Sequence, residues 1–187
     1  MEKLQPVTIE RDDSRVAGTA LGGALHGTVR VEAEGRTLAI LRYERGVLNG
    51  PATYFNADGT PSAEVTHRAG KLDGKARFYF PDGRLQREAH YVQGQLQGAC
   101  RTWLTDGALF EEAHYRHGKL QGFLQRFHPN GQIALRQAYA SGKPIVDAER
   151  YSEDGRMIGA NGKPVPRWKQ WWDGETSDAR NPSDRAA

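Results

Sequence analysis

The chain has 187 residues, 37% hydrophobic and 26% charged, with 22 glycines and a formal net charge of +3 from 26 basic and 23 acidic side chains. Glycine well above its usual share of roughly 7% implies many turns and argues against one compact core. The basic residues are spread along the whole length, so no stripe suited to nucleic acid stands out, and no run nears the roughly 18 apolar residues of a membrane span.

The first residues, MEKLQPVTIERDD, lack the apolar stretch of a secretion signal, so the chain is expected to be cytoplasmic. Residues 1–22 carry only the alternation of Val7 and Ile9 and are expected to form an N-terminal capping segment. From Gly23 the sequence becomes periodic, and a fixed period is the mark of a repeat architecture. Gly46, Gly70, Gly94, Gly118 and Gly142 stand 24 residues apart, and Gly35, Gly59, Gly83, Gly107, Gly131 and Gly155 keep the same spacing.

Counting each unit from its first glycine as zero, position two is Leu48, Leu72, Leu96 or Leu120, and position four is Gly50, Gly74, Gly98 or Gly122. Position nine is aromatic (Phe55, Tyr79, Trp103, Phe127, Tyr151), position fifteen is Pro61, Leu85, Leu109, Ile133 or Met157, and position twenty-one is His67, Tyr91, Tyr115 or Tyr139. The unit from Gly23 is one residue short between Gly27 and Gly35, and the unit from Gly142 is degenerate, with Pro144 and Val146 at positions two and four.

Turn chemistry says what a unit is. Phe80-Pro81-Asp82-Gly83-Arg84 reads as a type I turn with Gly83 left-handed, joining two strands. That register sets Tyr79 opposite Leu85, Trp103 opposite Leu109 and Phe127 opposite Ile133, all favoured aromatic–aliphatic pairs. Two-residue turns at Gln93-Gly94 and its equivalents set Tyr91 opposite Leu96 and Tyr115 opposite Leu120. All four apolar positions share one face only if the strand changes parity between positions two and nine, and the glycine at position four is the natural place for such a bulge.

The expected fold is all-β: an elongated single-sheet antiparallel meander of about six tandem 24-residue β-hairpins over residues 23–162, roughly 55 Å long at about 4.8 Å per strand. Beyond it, Trp168, Trp171 and Trp172 at i, i+3, i+4 spacing are expected to cap the last hairpin, and the segment GETSDARNPSDRAA has the composition of a disordered tail.

The run G-x-L-x-G, an aromatic, D/N-G, then a tyrosine before the next glycine is seen in Gly70-Lys71-Leu72-Asp73-Gly74 with Tyr79, Asp82-Gly83 and Tyr91, and again from Gly94 and Gly118. It resembles the MORN repeat, in particular its bacterial variant form, over about residues 23–160. Chains built of that variant are similar to the toxin–antitoxin YwqK-type family, and the resemblance implies an antitoxin or immunity role, some such chains being encoded beside secreted bacterial toxins. MORN repeats of eukaryotes imply the alternative, a scaffold or a protein associated with membrane lipids.

Catalysis finds no footing in the sequence. Glu111-Glu112 and Asp12-Asp13 are adjacent, so in a strand each pair divides between two faces, and no nucleophile elbow or phosphate loop occurs. His90 and His114 recur in successive units, as do Glu64, Glu88 and Glu112, but equivalent positions lie about 9 to 10 Å apart, too far for one such ladder to chelate a metal. Neither cofactor nor metal is expected. Cys100 takes a position held elsewhere by Ala52, Ala76 and Ala148, which marks it as a small core residue. The partner is expected to be a protein. Its predicted site lies opposite the apolar row: Tyr54, Phe78, Phe80, Leu104 and Phe110, rimmed by Glu64, Glu88, Glu112, His90, His114 and Arg126.

Overall fold

A computed structural model describes residues 2–166, so the tryptophan-bearing segment and the tail lie outside the described residues. The strands are β1 (Leu4–Arg11), β2 (Ser14–Leu21), β3 (Ala24–Leu25), β4 (Gly27–Ala33), β5 (Arg36–Glu44), β6 (Val47–Phe55), β7 (Pro61–Arg68), β8 (Lys71–Leu72), β9 (Gly74–Tyr79), β10 (Leu85–Val92), β11 (Gln95–Leu96), β12 (Gly98–Trp103), β13 (Leu109–Arg116), β14 (Lys119–Phe127), β15 (Ile133–Ala140), β16 (Lys143–Pro144) and β17 (Glu149–Arg150). All 17 belong to one open antiparallel sheet; β3/β4, β8/β9, β11/β12 and β16/β17 are each one strand interrupted near position four, and strands counted in this way bond to their neighbours in sequence. The expected all-β meander is thus the observed architecture, and no helix occurs among the described residues.

Two kinds of turn alternate along the chain. At Gln93-Gly94 both residues have positive φ (51° and 84°), the geometry that matches the twist of flanking strands. Gly94 N–H donates to the Leu72 carbonyl of the preceding unit at 2.7 Å, and Gly70, Gly118 and Gly142 do the same to Leu48, Leu96 and Leu120. Position two is thus where the backbone of each unit receives the next turn, and the side chains of Leu48 and Leu72 there pack on the core. At the other end Phe80 N–H donates to the Arg84 carbonyl at 2.8 Å and Gly83 N–H to Phe80 at 2.9 Å. The Asp82 carboxylate accepts Arg84 N–H at 3.0 Å, and Asp58, Asp106 and Asn130 accept from Thr60, Ala108 and Gln132. An Asx side chain two residues ahead of the donor is the reason for D/N before glycine.

The short first unit closes instead on a two-residue turn, Glu34-Gly35, with φ of 50° and 71° and Ala33 opposite Arg36. Residues 4–21 form a complete hairpin rather than a lone strand, and Val16 opposite Val31 joins it to the sheet. Its turn, Asp12-Asp13, contains no glycine, and Asp12 itself takes φ 51°, a conformation aspartate tolerates.

The predicted cross-strand pairs are all present: Tyr79 with Leu85, Trp103 with Leu109, Phe127 with Ile133, Tyr91 with Leu96 and Tyr115 with Leu120. The predicted parity change is not. Tyr115 pairs with Leu120 but Ala113 pairs with Leu124, so the interruption at Gln121-Gly122 inserts two residues. Two is a whole side-chain period, so leucine and tyrosine stay on the face of Ala113 and the position-nine aromatics go to the other.

The core is correspondingly unusual. Val29, Leu41, Ala52, Val65, Ala76, Ala89, Cys100 and Ala113 follow one another across the middle of one face, each no more than 9% exposed. Over the cluster that contains Ala52, Val65 and Ala76 pack Tyr43, Leu48, Leu72 and Tyr91 from the row on one side, with Val31, Tyr54 and Phe78 from the other. Larger neighbours roof a lane of small side chains, and the sheet thereby buries that lane with no second layer among the described residues. Cys100 is a buried free thiol in that lane, as its repeat position implied.

Candidate functional site

The second face carries a row of charges and a ridge of aromatics. Glu64, Arg77, Glu88, Arg101 and Glu112 stand opposite one another on successive strands, alternating in sign. Glu88 receives Lys75 Nζ at 2.8 Å and Arg77 Nε at 3.2 Å, and Arg101 Nε meets Glu112 at 2.5 Å. Hydrogen bonding to Lys75, aided by Arg77, holds the Glu88 carboxyl below the usual range, and the bond to Glu88 raises Arg77 in turn. At such exposed sites solvent screens the charges, so the ladder adds little to stability.

Beside the ladder, toward the Asx turns, run the pairs Phe55/Pro61, Tyr79/Leu85, Trp103/Leu109 and Phe127/Ile133, all half-buried. Tyr79 Oη donates to Glu64 at 2.6 Å, which ties ridge to ladder, and burial together with that bond pushes the Tyr79 phenol up. Aromatic and aliphatic surface flanked by charges already matched to each other is the composition of a protein-recognition surface.

The residues predicted from sequence do not assemble into one patch. Tyr54 and Phe78 lie on the small-residue face, packed over its core. Arg126 is in the same row, bonded to Glu111 at 2.9 Å, with its guanidinium 5.7 Å from the Phe110 ring, and Phe110 is the unpaired residue of a bulge. Phe80 and Leu104 open Asx turns at the sheet rim, Leu104 being 38% exposed. Glu88 and Glu112 belong to the ladder, with His90 and His114 exposed next to it on the same face. The division is that of the parity error, since moving the aromatics of position nine to the second face moves Tyr54 and Phe78 to the first. The ridge is what sequence reasoning missed. Its pairs were legible and only their side of the sheet was misassigned.

Residues 72–93 match the family model described as MORN repeat variant, and they span one hairpin, from Leu72 through the Asp82-Gly83 turn to Gln93. The chain contains a MORN-type repeat. Its Asx turn and its glycine turn recur in the flanking hairpins. No curated protein matches the chain. Among solved structures, similarity is found to accessory secretory protein 1,2 and 3 in Streptococcus pneumoniae, at 16% identity and TM-score 0.33 over 63% of this chain, and to TarM, at 12% identity and TM-score 0.30 over 75%. The chain spans 20% of the length of each of those two chains.

Proposed function

We propose that the chain is a protein-binding repeat protein that acts in the cytoplasm as an antitoxin or immunity protein, occluding the working surface of a bacterial toxin. The observation that carries the reading is the aromatic ridge of Tyr79, Trp103 and Phe127 beside a charge-matched ladder, on a face that no second layer covers among the described residues. A broad strand face suits occlusion of a large surface, and the MORN-type unit supports a binding role. Toxin neutralisation rests on the bacterial-variant resemblance. The reaction is the partner's; this chain supplies only contact.

The test is titration of the full chain with the product of the neighbouring gene, together with inhibition of that product's activity. Trp103→Leu and Phe127→Leu should each weaken binding at least tenfold, about 1.4 kcal/mol or more, with circular dichroism unchanged. Full affinity in both folded variants removes the ridge from the interface. Neither binding nor inhibition by the wild type sinks the antitoxin reading.

A further inference from the structure

Although the basic residues are scattered in sequence, the meander gathers several of them on one rim. Every glycine turn lies along one long side of the sheet and every Asx turn along the other. Counting turn residues and the pairs that close them, the glycine-turn rim holds Arg45, Arg68, Lys71, Arg116, Lys119 and Lys143 against the acid Glu44, and the Asp73 carboxylate also reaches this rim, where the Gln93 turn occupies it with two hydrogen bonds. All six basic residues are exposed, and none lies within ion-pair distance of a described carboxylate. On the Asx-turn rim, by contrast, Arg36, Arg84 and Arg156 are paired with Glu34, Asp82 and Asp154.

Two features set the glycine-turn rim apart from an ordinary solvated edge. Arg68 stands directly opposite Lys71, and Arg116 opposite Lys119. Like charges in direct cross-strand pairs are destabilising, so the free protein carries a cost that an anionic partner would relieve. Between and beside these doublets the closing pairs are Glu44/Val47 and Val92/Gln95, and Val47 and Val92 are 46% and 44% exposed. Val47 borders a shallow depression of about 420 Å³, lined also by Leu21, His26, Glu44, Arg45, Asn49 and Ala69. Cation doublets alternate with apolar points at a pitch of two strands, about 10 Å. A nucleic-acid backbone presents continuous charge with no apolar interruption, whereas an acidic protein segment with interspersed aliphatic side chains matches the alternation.

We propose that the glycine-turn rim docks an acidic segment of a partner protein, with carboxylates on Arg68/Lys71 and Arg116/Lys119 and aliphatic side chains at Val92 and in the depression beside Val47. The inference rests on the protein-binding reading above and adds a second, electrostatic contact along the long side of the sheet opposite the one the ridge borders. Such a contact speeds and orients encounter.

The experiment uses the full chain and a fluorescein-labelled peptide of repeating glutamate-glutamate-leucine, followed by anisotropy, with a glutamate-only peptide, a DNA duplex and phosphatidylserine vesicles as further arms. The glutamate-leucine peptide should bind more tightly than the other three, with affinity that falls as salt rises. Replacing Arg68, Lys71, Arg116 and Lys119 by serine should weaken it at least tenfold while leaving the thermal midpoint equal or higher, because the like-charge pairs are gone. Unchanged binding by that variant, a lowered midpoint, or tighter binding to DNA or vesicles would each overturn the proposal. Trp103→Leu should bind the peptide as the wild type does, so a failure of the ridge and a failure of the rim are read separately.

Discussion

The Asp73 carboxylate accepts a hydrogen bond from Gln93 N–H at 3.2 Å and another from the Gln93 side-chain amide at 3.1 Å, reaching from position three of one unit to the left-handed residue of the next turn. Gln97 does the same for His117 N–H at 3.0 Å and Gln121 for Ser141 N–H at 3.0 Å. These three glycine turns are therefore held by a side chain of the hairpin before them. Asp73→Ala should lower stability by about 0.5 to 1.5 kcal/mol, the net worth of an intramolecular hydrogen bond, and Gln97→Ala should act alike. Urea unfolding followed by circular dichroism measures both, and no loss in either would leave the turns self-sufficient.

The lane of small residues should resist enlargement. Ala76 and Ala113 are each 1% exposed, so Ala76→Leu and Ala113→Leu are expected to cost about 1 to 3 kcal/mol by overpacking. Gly18 faces a similar limit, since a Cβ there would come 2.9 Å from Val29 Cγ2 and 3.0 Å from the Thr28 carbonyl oxygen. Gly18→Ala should likewise destabilise, and thermal melts of the three variants check the series.

His67 holds the position that tyrosine holds in later units, 9% exposed, and its buried Nδ1 has no described partner. Burial holds its pKa below the ordinary 6.5. The unfolded chain therefore takes up the proton first, so stability is retained above about pH 6.5 and is lost as pH falls from there toward the lower folded value. His67→Tyr should flatten this part of the stability–pH profile. A profile as steep as that of the wild type would assign the dependence to another group.

Ala69 has φ 49°, a left-handed conformation that costs a side chain with a Cβ about 1 to 2 kcal/mol. Equivalent turns tolerate the same φ with Gln93 and His117, so the strain belongs to the turn type and not to this site. Ala69→Gly should stabilise by up to about 1 kcal/mol, read from the urea midpoint at constant slope.

Most of the fold was legible because the turns are written in residue types with few alternatives. Asp82-Gly83 and Gln93-Gly94 each fix a register, and Tyr79–Leu85 and Tyr91–Leu96 follow by counting outward from them. The faces were harder. Between two fixed turns the number of residues is known, but whether Gln121-Gly122 adds one residue or two to the strand depends on backbone geometry that any glycine permits. That single ambiguity carried Trp103 and Phe127 to the wrong side and brought Tyr54 and Phe78 into a patch that does not exist. The basic rim escaped notice for a different reason. Its members lie some two dozen residues apart in sequence, and only the meander sets them side by side.

Because every strand, with each interrupted pair counted as one, is bonded only to its neighbours in sequence, a tensile load applied at β1 and β17 would reach the hydrogen bonds a few at a time. Such a sheet unzips. Its hairpins should peel away from the ends in small steps of similar length, each releasing one unit's worth of chain, and the folded remainder should keep its shape while the load rises. A protein built in this way behaves under force as a soft, extensible ribbon, where a sheet whose terminal strands lie side by side would hold rigidly and then fail at once.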